Sequence, residues 1–267
     1  MTRPVIVLGS GYTGLVLHRM GTSQGWTVHA TSRNPLTNLA DIPSEQRLQF
    51  DLEQPSTWRN IPAGTDLIWC FPATPLEQVQ AFARTLDTSA RRMVVLGSTS
   101  AYEASDHSTE YPPSWIDESS PIDMTKPRVL GEEYLREQHG AIVLRVAGIY
   151  GPGRNPLDWI RHGRVSPSRK YVNLIHAEDL AAICLLALEK GKPGESYNVS
   201  DGTARTWDEI YATARQRWGV PTVAKKEDNS TGKRISTAKL RSELGYRFRH
   251  SDLYEALDLI ESTQSES

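Results

Sequence analysis

The chain has 267 residues, with 38% hydrophobic residues, 23% charged residues and a formal net charge of −2. This length is enough for one substantial core, and the small net charge gives no electrostatic reason to expect nucleic acid or an anionic membrane as a partner. No apolar stretch approaches the ~18 residues of a membrane span, and the first predicted strand starts too early to leave room for a signal peptide. The only cysteines, Cys70 and Cys184, lie in apolar runs, which predicts reduced core residues of a cytoplasmic protein and no metal site.

The first predicted element is a buried parallel strand over Val5–Leu8, followed directly by a Gly-x-Gly-x-x-Gly turn and a helix pattern. This order is typical of dinucleotide binding, although glycines also serve ordinary turns. The first glycine permits the tight turn, the second lets the backbone approach a pyrophosphate, and the third lets the helix pack closely on the strand. The helix N-terminus then faces the anion. The residues predicted to form this site are Gly9, Gly11, Tyr12, Thr13 and Gly14.

The second predicted strand, Thr27–Thr31, indicates which cofactor binds. It runs into Ser32 and Arg33, at the place where an NAD site carries an acidic residue for the ribose 2′-hydroxyl. No Asp or Glu occurs from residue 27 to residue 38. Because a guanidinium pairs with a phosphate that a carboxylate would repel, Arg33 and Ser32 favour NADP over NAD. The alternative is a solvated loop arginine.

Further strands alternate with helical patterns along the chain. The predicted strands are Leu48–Phe50, Asp66–Phe71, Met93–Gly97 and Ile142–Val146, and the predicted helices include Leu76–Thr88 and Arg128–Gln138. This alternation predicts a single α/β unit with a doubly wound parallel sheet of the Rossmann type. Residues 1–150 are expected to form mainly the dinucleotide-binding core. Residues 151–267 are expected to add the last sheet strands and a small C-terminal substrate-binding lobe.

Capping signals predict helix boundaries in the last third of the chain. Glu178 or Asp179 is expected to open a helix through Leu188, and Thr206-Trp-Asp-Glu209 has the pattern of a capping box. Ser236 is predicted to cap a helix over Thr237–Leu244 that stops at Gly245. The polar tail from Ser262 is expected to be frayed.

These segments together resemble the extended branch of the short-chain dehydrogenase/reductases, the NAD(P)-dependent epimerase/dehydratase family. The segments that carry the resemblance are the glycine turn, Asp51-Leu52, Val94–Tyr102, Leu144–Gly153, Leu174–Ala181 and Lys233–Gly245. The resemblance implies that Asp51 and Leu52 contact the adenine and that Phe71 and Pro72 lie along the cofactor ribose. It also implies that Ser98, with Thr99 beside it, is the catalytic serine that binds a substrate oxygen. The alternative for Ser98 is a strand-end serine that bonds its own backbone.

One family feature is missing. In that family the catalytic pair is Tyr-x-x-x-Lys, in which the lysine charge lowers the tyrosine pKa and the tyrosine exchanges a proton with the substrate oxygen. The chain contains no Tyr-x-x-x-Lys, and the pattern places Met124 at the tyrosine and Arg128 at the lysine. Methionine transfers no proton. Arg128 is predicted to hydrogen-bond the nicotinamide ribose without titrating.

Other residues are candidates for the missing chemistry. Tyr102 is either a surrogate proton donor or a packing residue below the pocket. The long polar connection that follows offers further acids, although a solvated loop is the alternative for all of them. These loop candidates are Asp106, His107, Glu110 and Tyr111.

Three residues of the central and C-terminal segments have competing interpretations. Arg154 is predicted to clamp an anionic substrate group, against the alternative of a surface arginine. His176 is a candidate substrate-binding residue, against the alternative of a helix cap that packs. Arg145 lies inside a strand and is expected to pair with a buried carboxylate.

The leading functional hypothesis is an NADP-dependent oxidoreductase or epimerase that acts on a small polar hydroxyl or carbonyl compound, such as a sugar or sugar nucleotide. The rival is a non-catalytic NADP(H)-binding sensor, which the missing dyad favours. A homodimer is a further expectation.

Overall fold

The computed structural model of the chain describes residues 4–86, 92–104, 110–221 and 230–265. The strands are β1 (Val5–Leu8), β2 (Val28–Ser32), β3 (Arg47–Gln49), β4 (Asp66–Trp69), β5 (Met93–Ser98), β6 (Trp115–Ile116), β7 (Ile142–Val146), β8 (Gly148–Tyr150), β9 (Tyr171–Val172), β10 (Leu174–His176), β11 (Ser196–Val199), β12 (Arg205–Thr206) and β13 (Arg234–Ile235). The α-helices are α1 (Tyr12–Ser23), α2 (Pro35–Asn38), α3 (Leu76–Arg84), α4 (Pro127–His139), α5 (Pro156–Arg161), α6 (Ala177–Lys190), α7 (Trp207–Trp218), α8 (Ala238–Leu244) and α9 (Leu253–Ser265). Short 3₁₀ helices cover Ser44–Gln46, Pro55–Asn60 and Thr99–Ala104.

Seven parallel strands form the central sheet, in the order β11-β7-β5-β4-β1-β2-β3. The chain winds outward from β1 to β3 and then returns to build the other half from β4, so the order reverses between β1 and β4. In open α/β sheets ligands bind at the carboxyl ends of the strands beside such a reversal. The predicted doubly wound α/β fold is confirmed.

Helices cover both faces of this sheet. Alternate residues of each strand enter different cores: Val5 packs with α1 and α6, whereas Ile6 and Leu8 pack with α3 and α4. All four residues of β1 are buried, as the apolar run predicted. These two packed faces hold the carboxyl ends of β1, β2, β4 and β5 along one edge of the sheet.

A third buried cluster lies in the C-terminal part of the chain. It packs Tyr150 and Leu174 against residues of α5, α7 and α9. Three strand pairs belong to this part of the fold: β8 with β10, β9 with β12, and β6 with β13. In the described ranges, no helix combines the length and apolarity needed to cross a membrane.

Helix ends follow the local signals only in part: α3 ends at Arg84 and not at Thr88, and α6 begins at Ala177, with His176 as its N-cap, and not at Glu178 or Asp179. The capping box is confirmed, because Thr206 Oγ1 accepts from the Glu209 N–H at 3.2 Å and Glu209 Oε2 accepts from the Thr206 N–H at 2.6 Å. The cap of α8 is Thr237 and not Ser236, whose Oγ accepts from the Ala238 N–H at 3.4 Å. The predicted fraying from Ser262 is also wrong as far as α9 is described, because serine and threonine hydroxyls there bond back to the Leu259 carbonyl.

Candidate nucleotide-binding and active site

The turn between β1 and α1 has the shape of a phosphate cradle. Gly9 has a φ of +85°, and its N–H donates to Thr31 Oγ1 at 2.9 Å. A Cβ at Gly14 would lie 2.7 Å from the Gly9 carbonyl oxygen, so only glycine allows α1 to approach the strand this closely. A Cβ at Gly11 would meet nothing within 4 Å, and this N-cap residue gives α1 no side-chain cap. Open space above uncapped helix N–H groups fits a pyrophosphate.

Tyr12 connects this cradle to the turn after β8. Its hydroxyl donates to the Pro152 carbonyl at 3.1 Å, and the Arg154 guanidinium lies 5.9 Å from its ring centroid. Arg154 also donates through Nε to the Ile149 carbonyl at 3.1 Å. Thr13 is buried in the first turn of α1. The predicted substrate arginine therefore lies beside the cofactor cradle, at the exposed surface.

The end of β2 presents an exposed cation. Ser32 Oγ accepts from the Asn34 N–H at 3.2 Å and from Asn38 Nδ2 at 2.9 Å, which fixes the start of α2. The backbone carbonyl of Arg33 accepts from Gln49 Nε2 at 3.3 Å. Within the described ranges, the exposed side chain of Arg33 makes no hydrogen bond or ion pair. An unpaired guanidinium at the end of β2, the strand next to the cradle, is suited to a phosphate.

The segments after β3 and β4 border the same edge. The Asp51 carbonyl accepts from Thr57 Oγ1 and Trp58 Nε1, both at 3.1 Å, and Leu52 is buried. A Cβ at Gly9 would lie 2.7 Å from Phe71 Cδ1, so the Phe71 ring lies against the glycine turn, with Pro72 next in the chain. The predicted ribose contact Phe71 therefore lies at the cradle, while Asp51 and Leu52 stay predicted adenine contacts.

The strand end at Ser98 is held by two lysines that sequence reasoning missed. Ser98 Oγ accepts from the Ser100 N–H at 3.1 Å. This is the backbone bond that was predicted as the alternative to a catalytic role for Ser98. Lys126 Nζ donates to the Ser100 carbonyl at 2.7 Å, and Lys233 Nζ donates to the Thr99 carbonyl at 3.0 Å. The sequence offered only the positions of these two lysines as a signal. Lys126 directly precedes the proline that starts α4, and Lys233 begins a segment that resembles the family.

Tyr102 lies below this turn in a buried polar network. It is 2% exposed, its hydroxyl donates to Asn198 Oδ1 at 2.7 Å, and it accepts from Arg145 Nη1 at 2.9 Å. Arg145 pairs with Glu133 Oε1 at 3.1 Å, as predicted for an arginine inside a strand. Burial raises the pKa of Tyr102 against the opposing effect of Arg145. This position favours the packing interpretation over proton donation.

The positions of the missing dyad lie at the start of α4. The Met124 side chain is 47% exposed, and Arg128 stands in the first helical turn. Arg128 Nε donates to Glu132 Oε1 at 2.9 Å. Glu132 is 1% exposed, and burial raises its pKa against the opposing charge of Arg128. Of the loop candidates for a replacement acid, Asp106 and His107 lie outside the described residues. Glu110 and Tyr111 are exposed; Glu110 accepts from Ser114 Oγ, and the Tyr111 hydroxyl donates to the Arg169 carbonyl.

His176 caps α6 and packs in the fold. It is 3% exposed, and its Nδ1 accepts from the Glu178 N–H at 3.3 Å. Burial, with the His250 ring at a centroid distance of 3.7 Å, lowers the pKa of His176 to about 4. Ligand atoms of His176, Glu178 and His250 lie within 4.8 Å of one another, a grouping that could hold a metal ion. The sequence predicted no metal site, because His250 is far along the chain from the other two.

A cavity of about 720 Å³ lies elsewhere, beside α4 and the start of β11. Its lining includes Glu133, Arg136, Arg145 and Lys239. None of the predicted site residues lines it. The predicted site residues therefore lie away from this cavity.

Comparison with known proteins identifies the family and the fold. The family model of the NAD dependent epimerase/dehydratase family matches residues 5–200. Protein YeeZ of Escherichia coli (strain K12) is 30% identical over 126 residues, which is 45% of this chain and 46% of that protein, so the match spans about half of the relative.

Solved structures match over nearly the whole chain. A functionally unknown conserved protein from Silicibacter pomeroyi DSS has a TM-score of 0.79 and 26% identity, covering 98% of this chain and 99% of that chain. A short-chain dehydrogenase/reductase superfamily protein from Agrobacterium tumefaciens with bound NAD also has a TM-score of 0.79, at 14% identity, covering 98% of this chain and 97% of that chain. At that identity the second likeness is one of fold alone.

Proposed function

The chain belongs to the NAD dependent epimerase/dehydratase family, and we propose that it is an NADP-dependent oxidoreductase or epimerase. Its substrate would be a small polar hydroxyl or carbonyl compound, such as a sugar or sugar nucleotide. The observation that carries the proposal is the open space at Gly11 above an uncapped helix, with the unpaired Arg33 side chain at the neighbouring strand end. When bound, the nicotinamide cofactor supplies or accepts the hydride.

Different parts of the chain bind the two halves of the cofactor. The N–H groups at the start of α1 hold the pyrophosphate, and Arg33 pairs with the 2′-phosphate of the adenosine ribose. Arg128 donates to the nicotinamide ribose. Since an arginine stays protonated in proteins, Arg128 binds and orients without exchanging a proton.

Ser98 is the residue proposed to meet the substrate oxygen. Its Oγ already accepts from the Ser100 N–H, so its own O–H donates to a substrate carbonyl or alcohol oxygen. Lys126 and Lys233 fix the carbonyls of the two following residues. The turn that follows the serine is therefore held by the N-cap residue of α4 and by the C-terminal segment, which supports the position of the hydroxyl.

The test is a screen of turnover with a panel of sugar nucleotides, aldehydes and ketones, following NADPH oxidation, and of alcohols with NADP⁺ in the reverse direction. Ser98→Ala should reduce kcat for any substrate found and leave NADPH affinity unchanged. Ser114→Ala is the matched control, because Ser114 is exposed and bonds Glu110. Turnover that survives Ser98→Ala unchanged would contradict the role of Ser98.

A non-catalytic NADP(H) sensor is the second candidate. Met124 at the tyrosine position and the buried, doubly bonded hydroxyl of Tyr102 favour it, because neither residue offers a proton to a substrate. Tight NADPH binding without turnover across the panel would select this function. The predicted homodimer is kept as a proposal, which light scattering of the purified protein tests directly.

A further inference from the structure

A buried carboxylate lies between α4 and the sheet. Glu132 is 1% exposed, and its Oε1 accepts from Arg128 Nε at 2.9 Å, one helical turn away. Burying a carboxylate costs free energy, and removing the cation that pairs with a buried carboxylate destabilises the fold strongly. The Arg128 side chain is 29% exposed, so the pair joins a buried anion to a cation at the surface of the site.

The strand beneath is shaped for this carboxylate. A Cβ at Gly97 would lie 2.6 Å from Glu132 Oε2 and 3.0 Å from its Cδ. The four residues of β5 before Gly97 are buried and apolar, so a glycine there breaks the strand's own pattern. Gly97 also directly precedes Ser98. The strand therefore leaves space for the Glu132 carboxylate at the edge where the cofactor is proposed to bind.

The bond to Glu132 uses the inner nitrogen of the guanidinium. In the part of the chain that the structure describes, Nη1 and Nη2 of Arg128 make no hydrogen bond. An arginine anchored through Nε presents a rigid planar pair of donors, whereas an unanchored side chain samples many rotamers. The anchored fork is suited to two neighbouring hydroxyl groups.

We propose that Glu132 is a positioning residue that holds Arg128 against the nicotinamide ribose, with Gly97 providing the space it needs. The inference rests on the proposed function, since it assumes that Arg128 binds the cofactor. In a merely structural role the pair would only satisfy the buried Glu132 carboxylate, so breaking it would lower the stability of the fold. Such a structural role predicts no dependence on which half of the cofactor is present.

The test compares two ligands by calorimetry: NADPH, which contains the nicotinamide ribose, and 2′,5′-ADP, which contains only the adenosine half. Glu132→Gln keeps the shape of the side chain and removes the charge that anchors the guanidinium. We expect NADPH affinity to fall about threefold to tenfold, the range of a weakened charge-assisted bond, while 2′,5′-ADP affinity stays within about twofold.

Two further variants separate positioning from folding. Glu137→Gln makes the same change on the same helix at a side chain that is 58% exposed, and it should alter neither affinity. Gly97→Ala should reproduce the selective loss, because its methyl group displaces the Glu132 carboxylate. Thermal unfolding with and without 2′,5′-ADP verifies that each variant is folded.

The outcomes are distinct. An equal loss for both ligands would show a merely structural role and overturn the inference. Unchanged NADPH affinity in Glu132→Gln and Gly97→Ala would overturn it and leave the proposed function standing. An unmodified protein that binds neither ligand would contradict both.

Discussion

Replacing Gly11 by valine should separate nucleotide binding from folding. The backbone at Gly11 has a φ of −79°, which valine adopts, and a Cβ there meets no atom within 4 Å. The folding cost is therefore limited to exchanging a good N-cap residue for a poor one, about 1 kcal/mol. For a chain of this size that corresponds to a fall in Tm of roughly 2–4 °C. The added side chain fills the space proposed for the pyrophosphate, so NADPH affinity should fall at least about 100-fold, or ~2.7 kcal/mol.

Gly14→Val is the matched control on the same turn. Its Cβ would lie 2.7 Å from the Gly9 carbonyl oxygen and 3.1 Å from Val7 Cγ1, so α1 must shift. Overpacking of this kind costs about 1–3 kcal/mol, and Gly14→Val should lower the Tm more than Gly11→Val does. Calorimetric titration with NADPH and thermal unfolding of both variants give the comparison. A folded Gly11→Val protein that binds NADPH normally would refute the assignment of this turn as the phosphate cradle.

Three further outcomes are expected. Tyr102→Phe should destabilise the fold by about 1–3 kcal/mol in urea unfolding, because it removes the hydrogen bond to Asn198 and leaves Arg145 without one acceptor. The NADPH affinity should stay unchanged. A selective loss of kcat would instead indicate that Tyr102 donates a proton to the substrate. The pKa of His176 in the folded state is lowered to about 4, below the value of about 6.5 for an unfolded histidine. As the pH drops, the unfolded state therefore binds this proton before the folded state does. The free energy of unfolding should fall as the pH drops from about 6.5 to about 4. His176→Asn should make that decline shallower, and identical pH profiles would contradict the assignment. Arg154→Ala should raise KM for an anionic substrate without changing NADPH affinity, and an unchanged KM would indicate a surface arginine.

Local patterns in the sequence predicted six of the seven strands of the central sheet, whereas β11 was not predicted. An apolar run specifies a strand covered on both faces, which is why β1 and β7 have the predicted bounds. The capping box of α7 is equally local, since both of its bonds join Thr206 and Glu209. The cap of α8 was misplaced by one residue because the Ser236 hydroxyl does bond the first N–H of the helix, although the N-cap position is Thr237, which makes no side-chain cap bond.

The candidate site was only partly predictable, because much of it depends on contacts between distant parts of the chain. Lys233 reaches the Thr99 carbonyl from the C-terminal segment, and His250 stacks on His176 from beyond α8. Neither approach leaves a spacing pattern that could be recognised. The pairing of Glu132 with the space at Gly97 likewise requires the packing of a helix on a strand.

The most direct test of the account is the affinity of the unmodified protein for NADPH and NADH, measured by calorimetry together with Arg33→Ala and the exposed control Arg241→Ala. We expect NADPH to bind at least about tenfold tighter than NADH, because of a charge-assisted contact worth about 1.5–3 kcal/mol. Arg33→Ala should remove that preference and leave NADH affinity unchanged, whereas Arg241→Ala should preserve it. Equal affinity of the unmodified protein for the two nucleotides would contradict the assignment of Arg33 and the choice of NADP.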